Sequence, residues 1–232
     1  MGEFEADGVD PSVSTAAVYG RRFPEAVKQE RMRMWAEIAA HLQRYFPRDA
    51  TILELGTGDG EFITHIIGGE KWATDIRDVA GAMPDDVRFV RADGLALSSV
   101  LEAGHFDRVF MSNYLEHLPS PQDVIEQLRI VSELLAPGGR VVILQPNIAL
   151  TGASYWDFID HRVALTEHSL AEAVELAGMT PLTTIRRFLP YSTKGRLPAS
   201  PSLVRWYLRL PFAWRVLGKQ TLLVAEKATG SR

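Results

Sequence analysis

The chain has 232 residues, a net charge of −4 and 46% hydrophobic residues, which suits one folded unit with insertions and is marginal for two. No run approaches the roughly 18 apolar residues of a membrane span, and the N-terminus has no basic-then-apolar leader pattern, so the cytoplasm is the default expectation. The absence of cysteine removes disulfides, thiolate metal sites and cysteine nucleophiles.

In chain order, residues 1–17 are small, polar and turn-rich, and are expected to form a flexible N-terminus before a single domain over 18–232. Pro24 to Phe46 reads as a long helix with Val27, Met34, Ile38 and Leu42 on one face. Residues 52–60, Ile-Leu-Glu-Leu-Gly-Thr-Gly-Asp-Gly, carry the most information. The apolar run predicts a buried strand ending at Leu55, a sharp turn, and a helix starting near Gly60. Gly56 and Gly58 let backbone lie close against a ligand. A strand, glycine-rich turn and helix is how open α/β sheets hold nucleotide-like ligands. The spacing argues against a dinucleotide. That pattern is G-x-G-x-x-G, whereas here the third glycine comes early, at Gly60, and Glu61 stands in its place. Glu54 adds negative charge that suits a cationic ligand better than a pyrophosphate.

Lys71–Asp75 reads as a second strand, and Asp75 lies nineteen residues after Gly56, where an acid grips ribose hydroxyls. Val87–Arg91 alternates like a third strand and leads to Asp93 and Gly94. Phe106–Met111 is a fourth, followed by Ser-Asn-Tyr-Leu-Glu-His-Leu-Pro over 112–119. Ser120 and Pro121 open a helix as cap and first-turn proline, Pro137-Gly138-Gly139 stops it, and Val141–Leu144 is a fifth strand.

From about residue 50 to 147 these segments resemble the class I S-adenosylmethionine-dependent methyltransferases, of the small-molecule "type 11"-like kind. Their first motif is Glu/Asp-x-Gly-x-Gly-x-Gly. The resemblance implies an α/β Rossmann-like doubly wound seven-stranded sheet with strand seven antiparallel. It also implies an N-terminal cap helix and a core over 48–147. The cofactor is then S-adenosyl-L-methionine, leaving S-adenosyl-L-homocysteine as product. Glu54, Gly56, Thr57, Gly58, Gly60, Asp75, Ile76, Asp93, Gly94, Asn113 and Tyr114 are its implied contacts, with Asp93 beside the adenine amino group. Nucleic acid is not expected as partner. Enzymes of this class that methylate C5 of pyrimidines begin with a cysteine attack, and Ser-Asn-Tyr-Leu replaces the Asn-Pro-Pro-Tyr of those that methylate base nitrogens.

Two insertions, 146–165 and 189–220, point to the acceptor. The first gathers Tyr155, Trp156, Asp157, Asp160 and His161, an aromatic wall with acids and a proton acceptor. An activated methyl donor needs alignment, water exclusion and removal of a proton. Histidine suits the last task. Of six histidines, His161 is the favoured base, with Asp157 or Asp160 beside it, and His117 is the alternate. No metal constellation stands out in the spacing, so a metal-independent reaction is expected. Thr166 caps a helix that Gly178 ends, and Leu182–Phe188 and Thr221–Lys227 read as the last two strands. Between them, Ser202–Leu217 is helix-prone with a break at Pro211. Residues 181–232 hold ten Lys/Arg against one Glu, while 1–180 hold fifteen against twenty-eight acids. Arg205 and Arg209 are therefore candidate contacts for an acidic or lipid-linked acceptor. The insertion reads as a lid, a peripheral membrane contact through 202–217, or a dimer contact, and an oligomer is compatible with it. The function expected is methyl transfer to a hydroxyl of a sugar, glycolipid or natural product. The alternatives are a non-catalytic cofactor-binding module acting through a protein partner and, disfavoured by Glu54 and Glu61, an NAD-dependent oxidoreductase.

Overall fold

The computed structural model describes residues 25–191 and 200–228. The expected flexible segment 1–17 and residues 192–199 of the second insertion lie outside them. Seven strands form one sheet: β1 (Thr51–Leu55), β2 (Glu70–Asp75), β3 (Val87–Arg91), β4 (Phe106–Ser112), β5 (Leu135–Pro146), β6 (Met179–Ile185) and β7 (Gln220–Lys227). Their order is β3-β2-β1-β4-β5-β7-β6. The first five pair in parallel, and β7 runs antiparallel between β5 and β6. This is the doubly wound sheet with its reversed seventh strand.

Strand alternation builds a core on each face. Leu53, Leu55, Val109, Met111, Val141, Ile143, Leu223 and Ala225 point to one side. There they meet α2 (Pro121–Leu134) and, beyond the single-turn α3 (Ile148–Thr151), α4 (Glu167–Leu176), through Val124, Leu128, Val131, Leu170 and Val174. Ile52, Ala73, Phe110, Val142, Leu144, Leu222 and Val224 point to the other. They meet α1 (Glu25–Leu42) through Ile38, Ala39 and Leu42. Phe62 stacks on Phe110 with ring centroids 3.8 Å apart, and Phe46 and Trp35 pack edge-on or tilted around that pair. Full burial of each such ring contributes about 1.5–3 kcal/mol, so this aromatic knot fixes α1 above β1 and β4. The rest of the second face is closed by α5 (Pro201–Arg209) and α6 (Pro211–Leu217), which break at Pro211 as the sequence predicts. Trp214 packs edge-on to Phe188 and His41.

Three local expectations change. No helix follows Gly60. Residues 58–65 make turns, with Thr64 N–H bonded to the Gly60 carbonyl and Ile66 N–H to that of Phe62. Gly68 and Gly69 then lie on the Asp49 and Ala50 backbone and the Ile52 side chain. A Cβ on Gly69 would sit 2.5 Å from the Asp49 carbonyl, so the chain is drawn back into the sheet before a helix can extend. Pro137-Gly138-Gly139 lies inside β5 rather than before it, opposite a register shift between Phe106 and Arg108. β6 starts at Met179 and ends at Ile185, because Gly178 (φ 77°) ends α4 and sends the chain straight into the sheet.

Candidate active site

The glycine-rich turn sits at the carboxyl end of β1. Gly56, Gly58 and Gly60 have φ of 64°, 63° and 81°, which side-chain-bearing residues rarely adopt. Its amides are already engaged. Thr57 N–H donates to the Thr74 carbonyl at 3.0 Å, Gly58 N–H to Asp75 Oδ2 at 3.0 Å, and Gly60 N–H to the Thr57 carbonyl at 2.9 Å. A pyrophosphate needs free amides at this turn, so the loop does not suit a dinucleotide. Glu54 Oε2 accepts from the Thr57 hydroxyl at 2.8 Å and from Ile63 N–H at 3.1 Å. Burial pushes its carboxyl up to about 8, against the pull of the Thr57 bond. From α1, Lys28 pairs with Asp59 at 3.3 Å and Arg31 with Glu61 at 2.9 Å, so the cap helix clasps the outside of the turn.

Asp75 ends β2 as a buried carboxylate. Besides Gly58 it accepts from Arg77 three times: from N at 2.9 Å, Nε at 3.1 Å and Nη2 at 3.0 Å. Ile76 beside it is exposed. Asp93 is exposed and caps the 3-10 stretch Gly94–Ser99 through Leu95 N–H. Tyr114 closes the cleft between these acids. Its hydroxyl donates to Gln127 Oε1 at 2.8 Å; a Cβ on Gly56 would meet its ring at 2.6 Å, and one on Gly94 would collide with its hydroxyl. Burial first, then Asp93 and Asp75, raise the Tyr114 phenol. Asn113 holds φ 49°, with its N–H on the Leu144 carbonyl and its amide on the Ser112 hydroxyl.

Of the expected cofactor residues, Gly56, Gly58, Asp75, Asp93, Gly94 and Tyr114 thus gather at the carboxyl ends of β1, β2 and β4, with the Asp75 and Asp93 carboxylates as neighbours of the Tyr114 ring. Sequence reasoning missed Arg77, Lys28 and Arg31, whose partners are visible only in three dimensions.

A second cluster forms where the 3-10 turn Leu115–His117 meets residues 152–163. Arg162 and Val163 N–H both donate to the Glu116 carbonyl, at 2.8 and 3.2 Å, which ties the two segments together. His117 and His161 come edge to face, centroids 5.1 Å apart. His117 is half-exposed, with Nδ1 3.2 Å from the Asp160 carbonyl and 3.3 Å from its Oδ2. His161 is buried, stacked on Phe158 at 5.0 Å and edge-on to Tyr155 at 4.8 Å. The Tyr155 hydroxyl donates to the Val163 carbonyl. Glu116 is 1% exposed, and burial raises its carboxyl, against the opposing charge of His117. Glu116 escaped the sequence reading because a lone acid in Leu-Glu-His-Leu carries no local signal.

The expected residues are not all brought together. Trp156 and Asp157 are exposed, so of the predicted acids it is Asp160 that meets a histidine. Arg205 binds Glu37 of α1, Nε to Oε2 at 2.8 Å, and Arg209 lies over the Trp206 ring at 6.0 Å. The basic segment is thus docked, at Arg205, on its own chain. Among the described residues no helix is long and apolar enough to cross a membrane.

A family profile described as "Methyltransferase domain" matches residues 19–184. The chain belongs to the class I S-adenosylmethionine-dependent methyltransferases. A stretch of 124 residues (49% of the chain) is 32% identical to a Salinispora arenicola protein named as a nonribosomal peptide synthetase, CymA, of which it spans 2%. Among solved structures, the methyltransferase bound to the Trm112 activator from Haloferax volcanii aligns over 92% of this chain and 98% of its own, at 17% identity and TM-score 0.65. A methyltransferase of Thermotoga maritima aligns over 90% and 98%, at 14% identity and TM-score 0.64. Identities this low speak for the fold alone. The methyltransferase cofactor is S-adenosylmethionine, and the Asp75 and Asp93 carboxylates beside the engaged amides of Thr57, Gly58 and Gly60 suit a cation better than a pyrophosphate. When bound, the cofactor supplies an electrophilic methyl group.

Proposed function

We propose that this methyltransferase transfers methyl to a hydroxyl of a small molecule, such as a sugar, glycolipid or natural product. The acceptor would lie between the 3-10 turn after β4 and the 152–163 segment. One observation carries the reading. Glu116, His117, Asp160 and His161 gather at the turn that follows Asn113 and Tyr114, with His117 half-exposed and His161 buried. An alcohol is a poor nucleophile until its proton is drawn away, whereas an amine that is already neutral needs no such cluster. In this reading the leading role belongs to the half-exposed His117, the alternate candidate, because His161 is packed on three rings. Asp160 orients Nδ1 of His117 and leaves Nε2 facing Glu116. Asp160 is a positioning residue in this arrangement. Tyr155 and Phe158 hold His161 in place and exclude water.

The test is to incubate the protein with labelled cofactor and fractionated small-molecule extract, then locate the methyl group by mass spectrometry. An O-methyl product, with turnover reduced at least about 100-fold in His117→Ala at unchanged cofactor affinity, is expected. An N- or C-methyl product, or full turnover in that variant, would overturn the reading. The absence of any labelled product would favour a non-catalytic module.

A further inference from the structure

The structure assigns a divalent-cation site to Glu116, His117 and His161. Each offers one ligand atom, and the three atoms lie within 4.8 Å of one another. Two nitrogens and one carboxylate oxygen suit zinc and its first-row neighbours. Such ions bond these ligands at about 2.0–2.2 Å, so a shared tetrahedral ion would draw them to about 3.4 Å apart. His117 Nε2 and Glu116 Oε1 are 3.9 Å apart. That is too long for a hydrogen bond, and a small side-chain contraction would bring both onto one ion.

Two independent features point into the gap. The first is Glu116, a carboxyl 1% exposed with Oε1 toward His117 Nε2 and the Gln145 side chain as its neighbouring donor. A carboxylate this deeply buried is costly without a paired charge, and a cation supplies one. The second is the far side of His117. Nδ1 faces the Asp160 carbonyl and carboxylate at 3.2 and 3.3 Å. A proton on Nδ1 donated to Asp160 leaves the Nε2 lone pair facing Glu116. A carboxylate behind a histidine in this way is the outer-shell arrangement that orients metal-ligating imidazoles. A lone pair facing a carboxylate across 3.9 Å is unfavourable when nothing lies between them, and favourable when a cation does. His161 completes the set from the opposite wall, its ring fixed by Phe158, Tyr155 and His117.

Three protein ligands leave a coordination position open. The substrate class for that position is a hydroxyl oxygen of the acceptor, or two oxygens of a vicinal diol on an ion that expands its shell. The cation polarises the O–H bond and lowers its pKa, and the proton leaves to solvent. This function for the ion rests on the hydroxyl-acceptor reading; its binding does not. With the ion in place His117 is a ligand, and the cluster ionises the acceptor through the metal rather than through a bare imidazole.

The test uses the full chain stripped with chelator, then titrated with CoCl2 in the absence of cofactor and acceptor. One Co2+ per chain, visible d–d absorption bands and competition by Zn2+ are expected. Glu116→Gln and His161→Ala should each weaken Co2+ binding at least about 100-fold, with cofactor affinity kept as the check on folding. Should Glu116→Gln fail to fold, His117→Gln serves in its place. The assignment is overturned if Co2+ binds only at millimolar concentration, or binds the variants as well as the parent. Because neither cofactor nor acceptor is present, a metal-free result leaves hydroxyl methylation standing, and an N-methyl product leaves the cation site standing.

Discussion

Asp75→Asn tests the cofactor cleft most directly. The Asp75 carboxylate accepts four hydrogen bonds, from Gly58 N–H and three Arg77 nitrogens, all between 2.9 and 3.1 Å. A carboxylate has about four lone-pair sites, so all are taken. A ribose diol can therefore reach Asp75 only by displacing the Arg77 guanidinium. In the asparagine variant one oxygen becomes an NH2 group, which confronts a donor in either orientation. The lost charged hydrogen bond is worth about 1.5–3 kcal/mol, which corresponds to a rise in Kd for S-adenosylmethionine of about 10- to 150-fold. Isothermal titration calorimetry with S-adenosylmethionine and S-adenosylhomocysteine measures it. Both ligands should weaken alike, since they share the ribose. In Arg77→Ala binding should instead tighten, because the diol no longer competes with an internal cation. A Kd for Asp75→Asn within about threefold of the parent, at unchanged Tm, would refute the placement of the ribose on Asp75.

Two further outcomes follow from other parts of the cleft. The buried Glu54 carboxyl is raised to about 8 from an ordinary value of 4.5; its contribution to stability is therefore full below about pH 4.5 and lost as pH rises through about 8. In Glu54→Gln this loss is absent, so its Tm relative to the parent should climb between pH 5 and about 8.5 and then level; parallel Tm curves would show that Glu54 does not titrate in that window. Arg205 is held by Glu37 rather than by the cluster at His117. Arg205→Ala should therefore leave the acceptor KM unchanged and speed hydrogen exchange over residues 201–209, whereas a raised KM would assign the arginine to the acceptor.

What was legible in the sequence is what backbone geometry and alternation impose. Gly56 and Gly58 announced a sharp turn after the first strand, Asp75 announced the end of the second, and runs such as Val141–Leu144 announced buried strands. The break at Pro211 followed from its missing N–H. What stayed hidden depends on distant pairing. The turns after Gly60 are set by the Asp49 and Ala50 backbone and the Ile52 side chain pressing on Gly68 and Gly69, a steric limit that helical periodicity in Phe-Ile-Thr-His-Ile-Ile does not reveal. The cluster at His117 needs His161, which arrives 44 residues later, and a tie through the Glu116 carbonyl. Arg77 carried no signal, because a lone arginine after a strand is an ordinary surface residue until its acceptor is seen.

The reversed seventh strand has a consequence for biogenesis. β7 is the last strand in the sequence but lies between β5 and β6, so β5 has no neighbour on that side until Gln220–Lys227 has been synthesised. During translation the chain therefore presents a long apolar ladder, Val141 to Leu144 within it, as an open edge. Domains emerging at about 5–20 residues per second expose such an edge for seconds, a window in which a chaperone or a premature contact between nascent chains competes with closure of the sheet.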